Sequence, residues 1–297
     1  MQSNAEVEDE NPLSTLDGYN TALSRPPQFP HLRWIAVNAN VVTQCILAAH
    51  LAATGVESLD MSVFSNKGAA YLTPAIAVYA QRNPSLSWLR VEVGMSDTLA
   101  SQEEVDSLRT NPVFDSAHFL KSLATPLRLS GLMIDGIPFF DKHIVRRVLR
   151  TIRGLVNLDC FQFLPLSATL FESDQLVCGR LSDLKKLAKY NPTLGSLETL
   201  LDVNNIPALK DKYDSTHQLS KLSIRTNGNP PTSVKHKLEV AKFLDAVFPY
   251  LKKVSSPIRE IEDGPESMVW AEVQEMVFSN QLIRAGVWSK ISGDEEN

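Results

Sequence analysis

The chain is poor in the residues that brace or catalyse. It has three cysteines in 297 residues, Cys45, Cys160 and Cys178. They show no C-x-x-C spacing, so neither a disulfide framework nor a cysteine-ligated zinc is expected. The six histidines, His31, His50, His118, His143, His217 and His236, are scattered and have no metal-ligand spacing. G-x-S-x-G, H-E-x-x-H, G-x-x-x-x-G-K-[ST] and G-x-G-x-x-G are all missing. The expectation is a protein that is not an enzyme, with no catalytic residue, no metal and no cofactor. No apolar run reaches the roughly 18 residues that a membrane span needs. The opening residues are acidic and polar rather than signal-like. Asn83-Pro84-Ser85 and Asn191-Pro192-Thr193 have the outline of glycosylation sequons, but proline at the middle position disqualifies both. These absences point to a reducing compartment, cytoplasmic or nuclear, with no membrane partner. Positive charge is in deficit too: 29 basic against 34 acidic residues, net -5. That balance argues against a nucleic-acid partner held through phosphate contacts.

What is present is a recurring phrase. Leu32-Arg33-Trp34-Ile35-Ala36-Val37 opens a series that Leu219-Ser220-Lys221-Leu222-Ser223-Ile224 nearly closes. Asparagine stands at the ninth place of both, Asn40 and Asn227. This is L-x-x-L-x-L-x-x-N, in which each unit forms one strand and one helix and neighbouring units stack. Anchored on the fourth position, the units fall at Ile35, Leu59, Leu89, Leu132, Leu158, Leu197, Leu222 and Leu251. Their spacings are 24, 30, 43, 26, 39, 25 and 29 residues. Most lie near the usual period of about 20–29, and the two long gaps imply insertions. One holds the polar stretch 96–111. In the sixth unit Leu194 with Leu197 sets one register, and Leu197, Leu200 and Asn205 another.

Between phrases the apolar period changes from 2 to 3.6, as a strand–helix repeat requires. Helices are predicted over 41–53, 141–153, 176–190 and 234–247, with Asp141 capping the second. Several end in a proline turn that feeds the next strand: Asn83-Pro84-Ser85-Leu86, Asn191-Pro192-Thr193-Leu194 and Phe248-Pro249-Tyr250-Leu251. A last helix over 265–284 would cap the stack through Val269, Val273, Met276 and Val277. The fold class is therefore α/β: an irregular leucine-rich-repeat solenoid with parallel strands on the concave side and helices on the convex side. Residues 1–28 are expected to be a disordered or loosely attached acidic lead-in, 29–284 the solenoid with its helical cap, and 285–297 a tail.

In such a phrase the leucines point inward and the residues between them line the concave sheet. That rule nominates Trp34, Ala36 and Asn38; Trp88, Arg90 and Glu92; Met133, Asp135, Asn157, Asp159 and Phe161; and Lys221, Ser223 and Arg225. Tryptophan and arginine are frequent binding hot spots. The alternative for Trp34 and Trp88 is packing under a neighbouring segment. The arginines and lysine of 142–153 (Lys142, Arg146, Arg147, Arg150, Arg153) read as the solvated outer face of a convex helix before they read as a phosphate site.

Phe29-Pro30-His31-Leu32-Arg33-Trp34-Ile35, Asn83-Pro84-Ser85-Leu86-Ser87-Trp88-Leu89 and Leu219 to Ile224 resemble the leucine-rich-repeat region of fungal F-box proteins. The resemblance covers about residues 29–284. It implies a substrate-recognition module whose repeats hold a protein partner, with a ubiquitin-ligase adaptor as second partner wherever an F-box precedes the repeats. Residues 1–28 are too short and too polar to form that helical box. The alternatives are a free-standing repeat scaffold and, from the enzyme class, a GTPase-activating leucine-rich-repeat protein.

Overall fold

The computed structural model describes residues 31–39, 43, 47, 55–63, 76, 79, 83–93, 128–136, 143–165, 178–208, 215–226, 230–256 and 265–286. Eight strands form one parallel ladder in chain order: β1 (Trp34–Asn38), β2 (Ser58–Val63), β3 (Trp88–Val93), β4 (Gly131–Asp135), β5 (Cys160–Leu164), β7 (Ser196–Asp202), β8 (Lys221–Arg225) and β9 (Lys253–Ser255). The two-residue β6 (Gly179–Arg180) pairs with the far end of β7. Strand residues alternate between faces. One row of inward side chains runs Ile35, Leu59, Leu89, Leu132, Phe161, Leu197, Leu222, Val254. All eight are buried, as is the second row from Val37 and Met61 to Ile224. Fully burying one such side chain stabilises by about 1.5–3 kcal/mol.

Six of the eight expected anchors occupy that first row. Leu158 and Leu251 do not. Each is buried one position group earlier, in the turn before its strand, and the inward strand residues are Phe161 and Val254. In the sixth unit Leu197 pairs with Phe161 and Leu222, so the Leu194–Leu197 register holds.

A second ladder runs just before the strands. The carbonyl of Arg33 accepts both Glu57 N–H (2.8 Å) and Ser58 N–H (3.0 Å). Glu57, Ser87, Ser130, Asp159, Gly195 and Ser220 each do the same for the next coil. Serine hydroxyls add to it: Ser87 donates to Glu57 O (3.2 Å), Ser130 to Ser87 O (3.0 Å) and Ser220 to Gly195 O (3.1 Å). Backbone groups that would be buried without partners are thus satisfied from coil to coil.

The proline turns close as expected. Leu86 N–H donates to Asn83 O, Leu194 N–H to Asn191 O and Leu251 N–H to Phe248 O, at 3.0–3.1 Å. Asn83 and Asn191 are buried. The Asn191 amide donates back to Ile152 O (2.9 Å) and Leu155 O (3.0 Å) of the preceding coil, and its own carbonyl accepts from His217 Nε2 (2.7 Å) in the next. The His217 ring meets Phe248 edge-on, with centroids 5.2 Å apart. Asn40 and Asn227, singled out from the sequence, lie outside the described residues.

Helices α1 (Ile144–Thr151), α2 (Leu181–Tyr190) and α3 (Val234–Val247) back the sheet. Helix α1 buries Ile144, Val145, Val148 and Leu149, and a 3-10 turn follows at Ile152–Gly154. Arg146 and Arg153 turn toward the buried Asp183 of α2, at 3.9 and 3.4 Å, and Asp183 also accepts Arg180 N–H (3.0 Å). Two arginines of the basic helix therefore hold a helix terminus; Arg147 and Arg150 face outward. Lys142, Asp141, the helix over 41–53 and the stretch 96–111 fall wholly or largely outside the described residues.

Helix α4 (Pro265–Arg284) closes the stack. Val273 and Val277 are buried, with Val269 and Met276 at the margin, but its largest buried side chain is Trp270. Its polar residues replace the next coil. Glu266 Oε1 accepts Thr226 N–H (2.9 Å) and Thr226 Oγ1–H (2.6 Å). Gln274 accepts the edge N–H of Val254, and Gln281 donates to Leu251 O (2.9 Å). An open sheet edge is covered in this way. Buried Lys237 of α3 reaches Glu272 at 2.7 Å, and Arg284 binds Asp245 at 2.7 Å.

Candidate functional site

The outward residues of the eight strands form three rows. The first is Trp34, Ser58, Trp88, Gly131, Cys160, Ser196, Lys221 and Lys253. The second is Ala36, Asp60, Arg90, Met133, Gln162, Glu198, Ser223 and Ser255. The third begins Asn38, Ser62, Glu92, Asp135, after which Leu164 and Leu200 turn inward and Arg225 resumes. Trp34, Asn38, Trp88, Arg90, Glu92, Met133, Asp135, Lys221 and Arg225 thus share one face, as the alternation rule has it.

Two nominated residues belong elsewhere. Phe161 is 1% exposed and packs in the core row, because β5 sits three residues later than a Leu158 anchor implies. Asp159, with Asn157, lies in the turn before β5. Its carbonyl accepts Gly195 and Ser196 N–H, and its side chain lies beside Gly195, where an added Cβ would come within 2.6 Å of Oδ1. The concave side chains of β5 are Cys160 and Gln162 instead. They were hidden by the phrase Leu158-Asp159-Cys160-Phe161-Gln162-Phe163, in which phenylalanines take the leucine places. Asp60, Glu198 and Lys253 were also missed; the alternation in β2, β7 and β9 carries them once the register is known.

Trp34 is 61% exposed. Trp88 is half-buried, and its ring lies over Gly131: a Cβ there would sit 2.0 Å from Cε3. Glycine is therefore required at 131 by close approach. Gly136, at the exit of β4, has φ +70 and its N–H donates to Leu164 O (2.9 Å). Arg90 lies between Glu92 (2.7 Å) and Asp60 (3.5 Å), so its charge is balanced within the sheet. Burial, and then the charge of Asp159, pushes the Cys160 thiol up, which keeps it protonated and weakly nucleophilic. Among the described residues no His/Cys/Asp/Glu group could hold a metal ion, and no helix is long and apolar enough to cross a membrane. The face is a mostly polar strip with tryptophan toward one end.

No protein-family model matches the chain, and no curated protein matches it. Among solved structures it is similar to the leucine-rich repeat-containing protein LegL7 from Legionella pneumophila, with 13% identity, 91% of this chain and 95% of that chain covered, and a TM-score of 0.33. Likeness at that level carries no argument. The class comes from the molecule itself: a parallel, one-strand-per-coil sheet whose inward row is the leucine row defines a leucine-rich-repeat solenoid.

Proposed function

We propose that the chain is a protein-interaction scaffold whose concave strip holds an extended segment of another protein. The observation that carries this reading is the row Trp34–Ser58–Trp88. One indole, Trp34, stands mostly in solvent and the other, Trp88, lies over Gly131, on a face that otherwise carries mainly polar and charged side chains. Exposed tryptophan on a rigid sheet is a typical binding anchor. Arg90 and Trp88 are poor test positions, because each also braces its neighbours. Photo-cross-linking residues at Ala36 and Gln162 avoid that problem. They are expected to give discrete protein adducts in extracts of the source cell, while the same group at Lys186 and Lys242 on the helices gives none. Adducts from the helical positions alone would overturn the reading. The narrower role, substrate recognition in or derived from an F-box type ubiquitin ligase, is supported only by the three resembling phrases. Co-purification of the cross-linked complex with a ligase adaptor tests it.

A further inference from the structure

Charge on the concave strip is balanced at one end and unbalanced at the other. Arg90 is held between Glu92 and Asp60. At the far end Lys221 and Lys253 stand directly opposite each other on β8 and β9. Both are exposed, and neither ammonium has a hydrogen bond or salt bridge among the described residues, although the charge of Lys221 is felt at the Cys160 thiol. Like charges placed opposite across a strand pair repel, and nothing in the packing requires them. The hydroxyls of Ser196, Ser223 and Ser255 line a recess beside the two lysines. Glu198 also borders it and already has an interaction of its own. Ammonium groups only donate hydrogen bonds, and the hydroxyls of Ser223 and Ser255 can donate as well as accept. The Ser196 hydroxyl already bonds the Cys160 thiol, so the recess offers a carboxylate two cations and two hydroxyl donors.

We propose that this recess receives the carboxylate of an Asp or Glu in an acidic segment of the bound protein. The proposal rests on the reading of the concave strip as the docking surface and adds its polarity. An acid at Lys221/Lys253 and an apolar group at Trp34 would span six to seven strand spacings, roughly 28–33 Å along the sheet. The pair would set the direction in which the partner lies, as complementary charge commonly does. A nucleic acid fits less well. A continuous polyanion running on from the lysines would meet Glu198, Asp135, Glu92 and Asp60 along the same strip.

The test uses the full chain and a fluorescein-labelled dodecapeptide of alternating Glu and Ser, with its Gln counterpart, read by fluorescence anisotropy at low ionic strength. The Glu peptide is expected to bind and the Gln peptide not. Lys221→Ala with Lys253→Ala should weaken the Glu peptide about fivefold to tenfold. Lys186→Ala with Lys242→Ala, on exposed helix faces, should leave it unchanged. All four side chains are exposed, so these variants keep the fold. An equal loss from the helical pair, equal binding of the Gln peptide, or tighter binding of the oligonucleotide dT12 overturns the proposal. So does self-association that depends on the two lysines, which would make a second copy the occupant. If the Glu peptide fails to bind while Ala36 and Gln162 still cross-link, the recess assignment falls and the docking strip stands. If binding is lost only from the helical pair, the docking strip falls as well.

Discussion

At the scale of the residue, His217 shows how a buried polar group is committed to one protonation state. Its Nε2–H donates to Asn191 O (2.7 Å), and its Nδ1 accepts Leu219 N–H (3.0 Å). Both nitrogens are used by the neutral tautomer; a second proton would set two N–H groups against each other at Nδ1. Burial lowers its pKa from the ordinary 6.5, with the Asn191 carbonyl acting in the opposite direction. A depressed folded pKa contributes stability that is fully present above the unfolded value and lost as pH falls through the folded one. Urea unfolding midpoints should therefore fall as pH drops below about 6.5, and His217→Gln should flatten that slope; an unchanged slope in the variant would assign it to other groups. Gly131 makes a second, steric prediction. A methyl there collides with the Trp88 ring, so Gly131→Ala should destabilise by about 1–3 kcal/mol, the usual range for overpacking. Trp88→Ala should remove most of that penalty. Additive effects in this double-mutant cycle would mean that the ring does not rest on the glycine backbone.

At the scale of the element, the strands were legible wherever leucine or isoleucine kept the first inward place, even where Met61 or Thr199 took the second. That is why Ile35, Leu59, Leu89, Leu132, Leu197 and Leu222 were found in register. Leu158 and Leu251 misled because burial alone does not separate the first from the fourth position of the phrase. Phenylalanine at 161 and 163, and a three-residue β9, left no leucine to correct the reading. The cross-coil bonds of Asn191 and His217 had no local signal, since their partners lie 26 to 39 residues away. The capping helix was legible as a helix from its valines, but its main anchor was not. Trp270 is wholly buried, with its indole N–H 3.4 Å from Glu266, the residue that also receives Thr226. Trp270→Ala should cost about 3–5 kcal/mol and expose the β9 edge, whereas Met268→Ser, two residues earlier and in solvent, should change little. Chemical denaturation with light scattering reads both effects. A Trp270→Ala protein as stable and as monodisperse as the parent would show that α4 is not the seal.

At the scale of the whole molecule, each coil touches mainly its neighbours, so stability is a chain of coil–coil terms rather than one central core. The two described ends are unlike. Behind β9 stands α4, with Glu266, Gln274 and Gln281 completing the last coil's hydrogen bonds. At β1, Trp34, Ala36 and Asn38 are exposed, and even the inward Ile35 and Val37 are slightly less buried than their partners Leu59 and Met61. A cavity should therefore act differently by position. Phe163→Ala, in the middle of the stack, is expected to lower the single cooperative transition by about 3–5 kcal/mol. Ile35→Ala is expected to loosen the first coil alone. Hydrogen exchange should then speed up over 34–38 and 58–63 while protection over 196–225 stays at the parent level. This difference reaches the binding strip, because Trp34 rides on the first coil and Lys221 and Lys253 on the last two. Ile35→Ala should weaken whatever the indole end holds and leave the Glu peptide at the lysine end unaffected. Loss of protection along the whole ladder in Ile35→Ala would instead show that the sheet opens as one unit, and the strip's two ends would then be mechanically coupled.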